Sequence, residues 1–96
     1  MNNPPKEVQL RGRIDDAVAE GTYVNFASIA HNRSEFIIDF GRIVPNRADV
    51  RILSRIISTP LVAKQLCRAL SQNLEQYEKR HGDIGGAEEG MKRVGF

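Results

Sequence analysis

The sequence has no tryptophan, a single cysteine and only two histidines in 96 residues. Cys67 alone excludes an intrachain disulfide and a cysteine-based zinc site. No apolar run approaches the roughly 20 residues that span a bilayer. Residues 1–7 are polar, carry Pro4 and Pro5, and lack the apolar stretch of a signal peptide. A cytoplasmic location is therefore expected. Charge of one sign is also scarce: the net charge is only +2, with a pI near 9.0. That is a weak pointer to polyanions. Ten of the 14 basic residues are arginine, however, and arginine makes planar two-pronged contacts that lysine cannot.

What is present suits one small folded unit. Hydrophobic residues make up 41% and charged residues 27%, too apolar for a disordered chain of this net charge. A chain this short buries only about 60–65% of its unfolded surface, so its core is marginal. We read residues 1–7 as a flexible arm, 8–82 as a single α+β domain, and 83–96, with its scattered glycines, as a flexible tail.

Alternation dominates the first half. Val8, Leu10, Gly12 and Ile14 alternate with Gln9, Arg11 and Arg13, which predicts a first strand. Residues 22–31 predict a second, with Val24, Phe26 and Ala30 on one face and Tyr23, Ala27 and Ile29 on the other. After the polar connection 31–34, residues 35–44 predict a third, with Phe36, Ile38 and Phe40 opposite Ile37, Asp39 and Gly41. Pro45 and Asn46 end it. Residues 50–57 predict a fourth, with Val50, Ile52, Ser54 and Ile56 on one face and Arg51, Leu53, Arg55 and Ile57 on the other.

The period then changes. Thr59 and Pro60 are a helix cap and a first helical residue. Val62, Leu66, Leu70 and Leu74 recur every fourth residue, with Ala63, Cys67 and Tyr77 beside them, as one broad apolar stripe. Arg80 and His81 suit the negative end of the dipole, and Gly82 stops the helix. A 60–81 helix is about 33 Å long, enough to overhang its own sheet. The expected fold is thus α+β, a four-stranded antiparallel sheet followed by one long C-terminal amphipathic helix.

Chemistry-bearing patterns are few. His31 and His81 end a strand and the helix and have no companion ligands, so no metal or cofactor is expected. Asp39 lies within an apolar strand and needs a cation; Arg51 and Arg55, sharing a face, are the candidates for a structural ion pair. No nucleophile or second carboxylate accompanies Asp39, which argues against catalysis. Asp39-Phe40-Gly41 spells the kinase metal-binding tripeptide without any other kinase element, and Gly85-Gly86 lacks the strand and Gly-Lys of a phosphate loop. Arg11, Arg13, Arg42, Arg51 and Arg55 could form a basic sheet surface contacting nucleic acid, but Glu35, Asp39 and Asp49 interrupt it. One helix covers one face of a sheet. The other, with Tyr23, Ile29, Ile37, Leu53 and Ile57, would remain an apolar patch of the kind that marks interfaces. Together with Leu66, Leu70, Leu74 and Tyr77 it predicts a homodimer or higher homo-oligomer, a C2 dimer being the commonest form.

The segments Gly21-Thr22-Tyr23-Val24-Asn25, Glu35-Phe36-Ile37-Ile38-Asp39-Phe40-Gly41-Arg42 and Ser54-Arg55-Ile56-Ile57-Ser58-Thr59-Pro60 resemble an uncharacterised family of small bacterial and archaeal proteins, carried as a domain of unknown function. So do Ala63-Lys64-Gln65-Leu66 and Leu70-Ser71-Gln72-Asn73-Leu74-Glu75-Gln76-Tyr77-Glu78. The resemblance covers about residues 20–84 and implies no activity. In element order alone, four strands and a long helix are similar to the export chaperone SecB, which assembles through strands and helices and holds unfolded chains in apolar grooves. The expectation is a non-enzymatic, oligomeric protein-binding module with chaperone-like character, and a nucleic-acid binder as the alternative.

Overall fold

The computed structural model describes residues 9–85. A one-turn helix α1 (Asp16–Ala19) leads through Gly21, at φ 81°, into three strands, β1 (Phe26–His31), β2 (Phe36–Ile43) and β3 (Val50–Ser58), and then helix α2 (Pro60–His81). The strands form one antiparallel sheet in the order β1-β2-β3.

Local chemistry explains the two hairpin turns. Asn32 Oδ1 accepts the Ser34 and Glu35 amides at 2.8 and 3.0 Å, and this side-chain turn closes β1 onto β2. Between β2 and β3, the Arg47 amide donates to the Val44 carbonyl at 3.1 Å, with Pro45 and then Asn46 at φ 69° in the central positions. That is type II turn chemistry: proline sets the first φ, and asparagine tolerates the positive second one.

The strand predicted at 8–14 does not form over its described residues, 9–14. Residues 9–15 have no regular structure, and Leu10 and Ile14 are 90% and 66% exposed. Alternation alone stabilises nothing without a neighbouring ladder, and this segment pairs with neither free edge, β1 nor β3. The sheet therefore has three strands, and the four-strand order behind the SecB analogy is absent. The next strand also starts later than expected, at Phe26, because Asn25 caps the ladder with its side chain. Its Nδ2 donates to the Ile43 carbonyl at 3.1 Å, and its Oδ1 accepts the Ile43 amide at 2.7 Å.

A bulge corrects the face assignment of β3. Phe40 opposes Ser54, but Gly41 opposes Ile52, so Leu53 is the extra residue. Val50 and Ile52 thereby move to the face of Gly41 and Ile57, and Arg51 moves away from Arg55 to oppose Arg42. Directly opposed residues share a face. One face carries His31, Phe36, Ile29, Ile38, Ile56 and Phe40; the other carries Ile37 and Ile57, the Asp39–Arg55 rung, and Phe26, Gly41 and Ile52.

The helix begins and ends as its sequence dictates. Thr59 Oγ1 accepts the Val62 amide at 3.1 Å, Pro60 occupies the first turn, and Gly82, at φ 91°, follows the last residue. It barely touches the sheet, and does so through β3, the strand immediately before it. Among the described residues, Ile38 is the only buried large apolar side chain.

Candidate functional site

Two surfaces stand out, one apolar and one basic. The apolar surface is discontinuous within the single chain. On α2, Val62, Leu66, Leu70, Leu74 and Tyr77 are all exposed, 42–54% of each lying open. On the sheet, Ile29, Ile56 and Ile57 are exposed as well. The expected patch of Tyr23, Ile29, Ile37, Leu53 and Ile57 is not one surface. The β1–β2 turn places Ile29 opposite Ile38, on the reverse side from Ile37 and Ile57; Leu53 sits at the bulge, and Tyr23 precedes β1. Both sheet faces are therefore apolar, and α2 covers little of either.

Asp39 lies on the central strand with a side chain only 15% exposed. Arg55, directly opposite on β3, grips it with two parallel bonds: Nε to Oδ1 at 2.7 Å and Nη2 to Oδ2 at 2.9 Å. Arg51, the other candidate, lies on the opposite face because of the bulge. The Arg55 hydrogen bonds hold the Asp39 carboxyl below its ordinary 3.8; desolvation opposes them, and charge attraction reinforces them. The same bonds raise Arg55 above its ordinary value. A carboxyl depressed in the folded state stabilises the fold above its unfolded pKa, and that contribution fades as pH falls through the folded value. Urea denaturation between about pH 2 and about pH 6 should thus show an acid-side loss that Asp39→Asn flattens. Identical pH profiles for the two proteins would refute the role assigned to this pair.

The five arginines proposed as a basic sheet face are not brought together. Arg11 and Arg13 lie in the irregular segment before α1, and Arg55 is committed to Asp39. What assembles instead is a smaller group at the β2–β3 turn. Arg42, Arg47 and Arg51, with Val44 and Asp49, line a hollow of about 290 Å³. Arg42 and Arg51 are direct cross-strand neighbours, an unfavourable like-charge pairing. The Arg42 guanidinium lies 5.5 Å from the Tyr23 ring centre. Sequence reasoning passed over Arg47. Its signal was the Pro45-Asn46 turn, which folds the next residue back over the hairpin.

No group of three or more His, Cys, Asp or Glu side chains converges among the described residues. His31 stacks on Phe36 with ring centres 5.1 Å apart, and His81 sits 4.8 Å from the Tyr77 ring centre. Cys67 is free and exposed. No helix among the described residues is long and apolar enough to cross a membrane.

The class these features define is a small α+β protein, a three-stranded antiparallel sheet continued by one long helix, with most of the large apolar side chains among the described residues exposed. A family model described as "Protein of unknown function (DUF3467)" matches residues 1–85, and the chain belongs to that family, in agreement with the resemblance read from its segments. Comparisons with curated proteins and with solved structures returned no match.

Proposed function

We propose that this protein is a non-enzymatic, homo-oligomeric protein-binding module of the cytoplasm, holding apolar protein segments in a chaperone-like manner. The observation that carries this reading is that Ile38 is the single buried large apolar residue among the described residues, against an α2 stripe and two sheet faces left open. Exposed apolar surface on this scale is characteristic of interfaces. β3 adds a nine-residue edge strand, a ready template for backbone pairing. The test has two arms. Light scattering at micromolar concentration should report at least a dimer; a strict monomer removes the oligomeric part. Heat-aggregation of an unfolded client should be suppressed by an equimolar amount of the protein, and unchanged aggregation removes the holding part.

A second reading, a nucleic-acid binder, draws on the Arg42–Arg47–Arg51 hollow. Three arginines against one Asp49 leave two uncompensated positive charges beside an aromatic ring. Phosphate contacts weaken steeply with salt. Binding to single-stranded RNA or duplex DNA should then lose roughly one unit of salt slope for each arginine replaced by glutamine. No binding at low salt ends this reading.

A further inference from the structure

We propose that α2 pairs with α2 of a second copy of this chain, antiparallel and two-fold symmetric, about an axis passing between Leu70 and Leu74. This rests on the oligomeric reading above and deepens it by naming the surface, direction and register.

The surface follows from spacing. Ala63, Cys67, Leu70, Leu74, Tyr77 and His81 are separated alternately by four and three residues, the repeat of a helix–helix seam. It differs from the strict fourth-residue stripe, and it leaves Val62 and Leu66 on one edge, free to face a sheet. Leu70, Leu74 and Tyr77 are 54%, 42% and 51% exposed, and none of the three is buried by the described residues. Leu70, Asn73, Leu74 and Tyr77, together with Ile84, surround a hollow of about 390 Å³. The first four stand in the i, i+3, i+4, i+7 relation that receives one knob from a facing helix.

Direction follows from size. The seam residues grow along the helix, from Ala63 and Cys67 to Tyr77 and His81. Antiparallel pairing about the proposed axis sets Leu70 against the second copy's Leu74, Cys67 against its Tyr77, and Ala63 against its His81. Each large side chain meets a small one, so the seam keeps an even width. Parallel pairing would set Tyr77 on Tyr77 and Ala63 on Ala63, crowding one end and leaving a gap at the other.

Charge gives the same direction. Lys64, Ser71 and Glu78 run along one flank of the seam at seven-residue intervals. In the antiparallel register Lys64 faces the second copy's Glu78, and symmetry repeats the pair. Glu78 Oε2 already accepts the Ile84 amide at 2.9 Å, which holds the carboxylate in place and leaves Oε1 for the lysine. In a parallel pair Lys64 would fall beside Thr59 and Glu78 beside Asn73, with no opposite charge for either. Opposed helix dipoles add in the same sense.

The cysteine makes the register testable. The two copies of Cys67 are about 15 Å apart along the seam, beyond disulfide reach, whereas Cys67 and the second copy's Tyr77 face each other. Mild oxidation should therefore leave the unaltered protein uncrosslinked and convert most of the Tyr77→Cys variant to a covalent dimer on a non-reducing gel. A Cys67–Cys67 dimer of the unaltered protein overturns the antiparallel direction. A Tyr77→Cys variant that stays uncrosslinked while light scattering reports a dimer overturns the seam but spares the oligomer; a monomer overturns both. Lys64 is exposed, so its replacement does not threaten the fold. Lys64→Glu should raise the dimer dissociation constant about tenfold, and adding Glu78→Lys should restore it. An unchanged constant in Lys64→Glu, or no restoration in the double variant, also overturns the proposal.

Discussion

Gly41→Ala should strongly destabilise the folded sheet, although it adds only one methyl group. A Cβ at this position would lie 2.6 Å from the Arg51 carbonyl oxygen and 3.2 Å from both Ile52 Cδ1 and Val50 Cγ1. The isoleucine and valine ends can move. The carbonyl is backbone at the bulge, and moving it breaks the β2–β3 ladder on the side where Asn25 also closes β1. Overpacking of this kind costs about 3 kcal/mol or more when backbone must shift, a large share of a small domain's total of roughly 5–15 kcal/mol. Gly12→Ala is the control, since nothing lies within 4 Å of its Cβ position. Circular dichroism and urea denaturation decide the matter: a Gly41→Ala protein within about 1 kcal/mol of the unaltered one would show that the bulge yields easily.

Leu70→Asp should dissociate the assembly and lower the melting temperature together. In the α2–α2 dimer proposed above, much of the hydrophobic stabilisation comes from the second copy, since Ile38 is the only buried large apolar side chain among the described residues. Folding and association are then one equilibrium, and the melting temperature rises with protein concentration, measurable by calorimetry between about 1 and about 100 µM. Replacing a leucine that becomes buried removes about 2–5 kcal/mol, and a carboxylate in its place adds a desolvation cost. At about 4–8 °C per kcal/mol for a domain of this size, the fall should be at least about 10 °C. Gln65→Asp, on the far side of the helix, should change little. A concentration-independent melting temperature, with Leu70→Asp behaving like the unaltered chain, would mean that the monomer is the folding unit.

The parts legible in the sequence were those governed by near neighbours. Thr59, Pro60 and Gly82 define both ends of α2 through contacts within one turn, and its bounds agree with the spacing of its apolar residues. Asn32 and the Pro45-Asn46 pair likewise signal their turns locally. The Asp39 carboxylate in an apolar strand demanded a cation, but two arginines answered equally well on paper. The bulge at Leu53 separated them, and no local signal announced it except Gly41, which sits on the other strand. The strand expected at 8–14 failed for the complementary reason: its alternation was real, but strand formation depends on a ladder partner that no residue within it supplies.

The sequence by itself determined the α+β class, the two hairpin turns, the extent of α2 with its apolar stripe, and its family. Only the tertiary structure decided that the sheet has three strands, that Arg55 holds Asp39, that Arg47 joins Arg42 and Arg51, and that α2 stands away from its own sheet. The physical reason is range. Caps, turns and helical periodicity are set by hydrogen bonds and rotamers a few residues apart, whereas register, bulges and the burial of α2 depend on which distant surfaces meet.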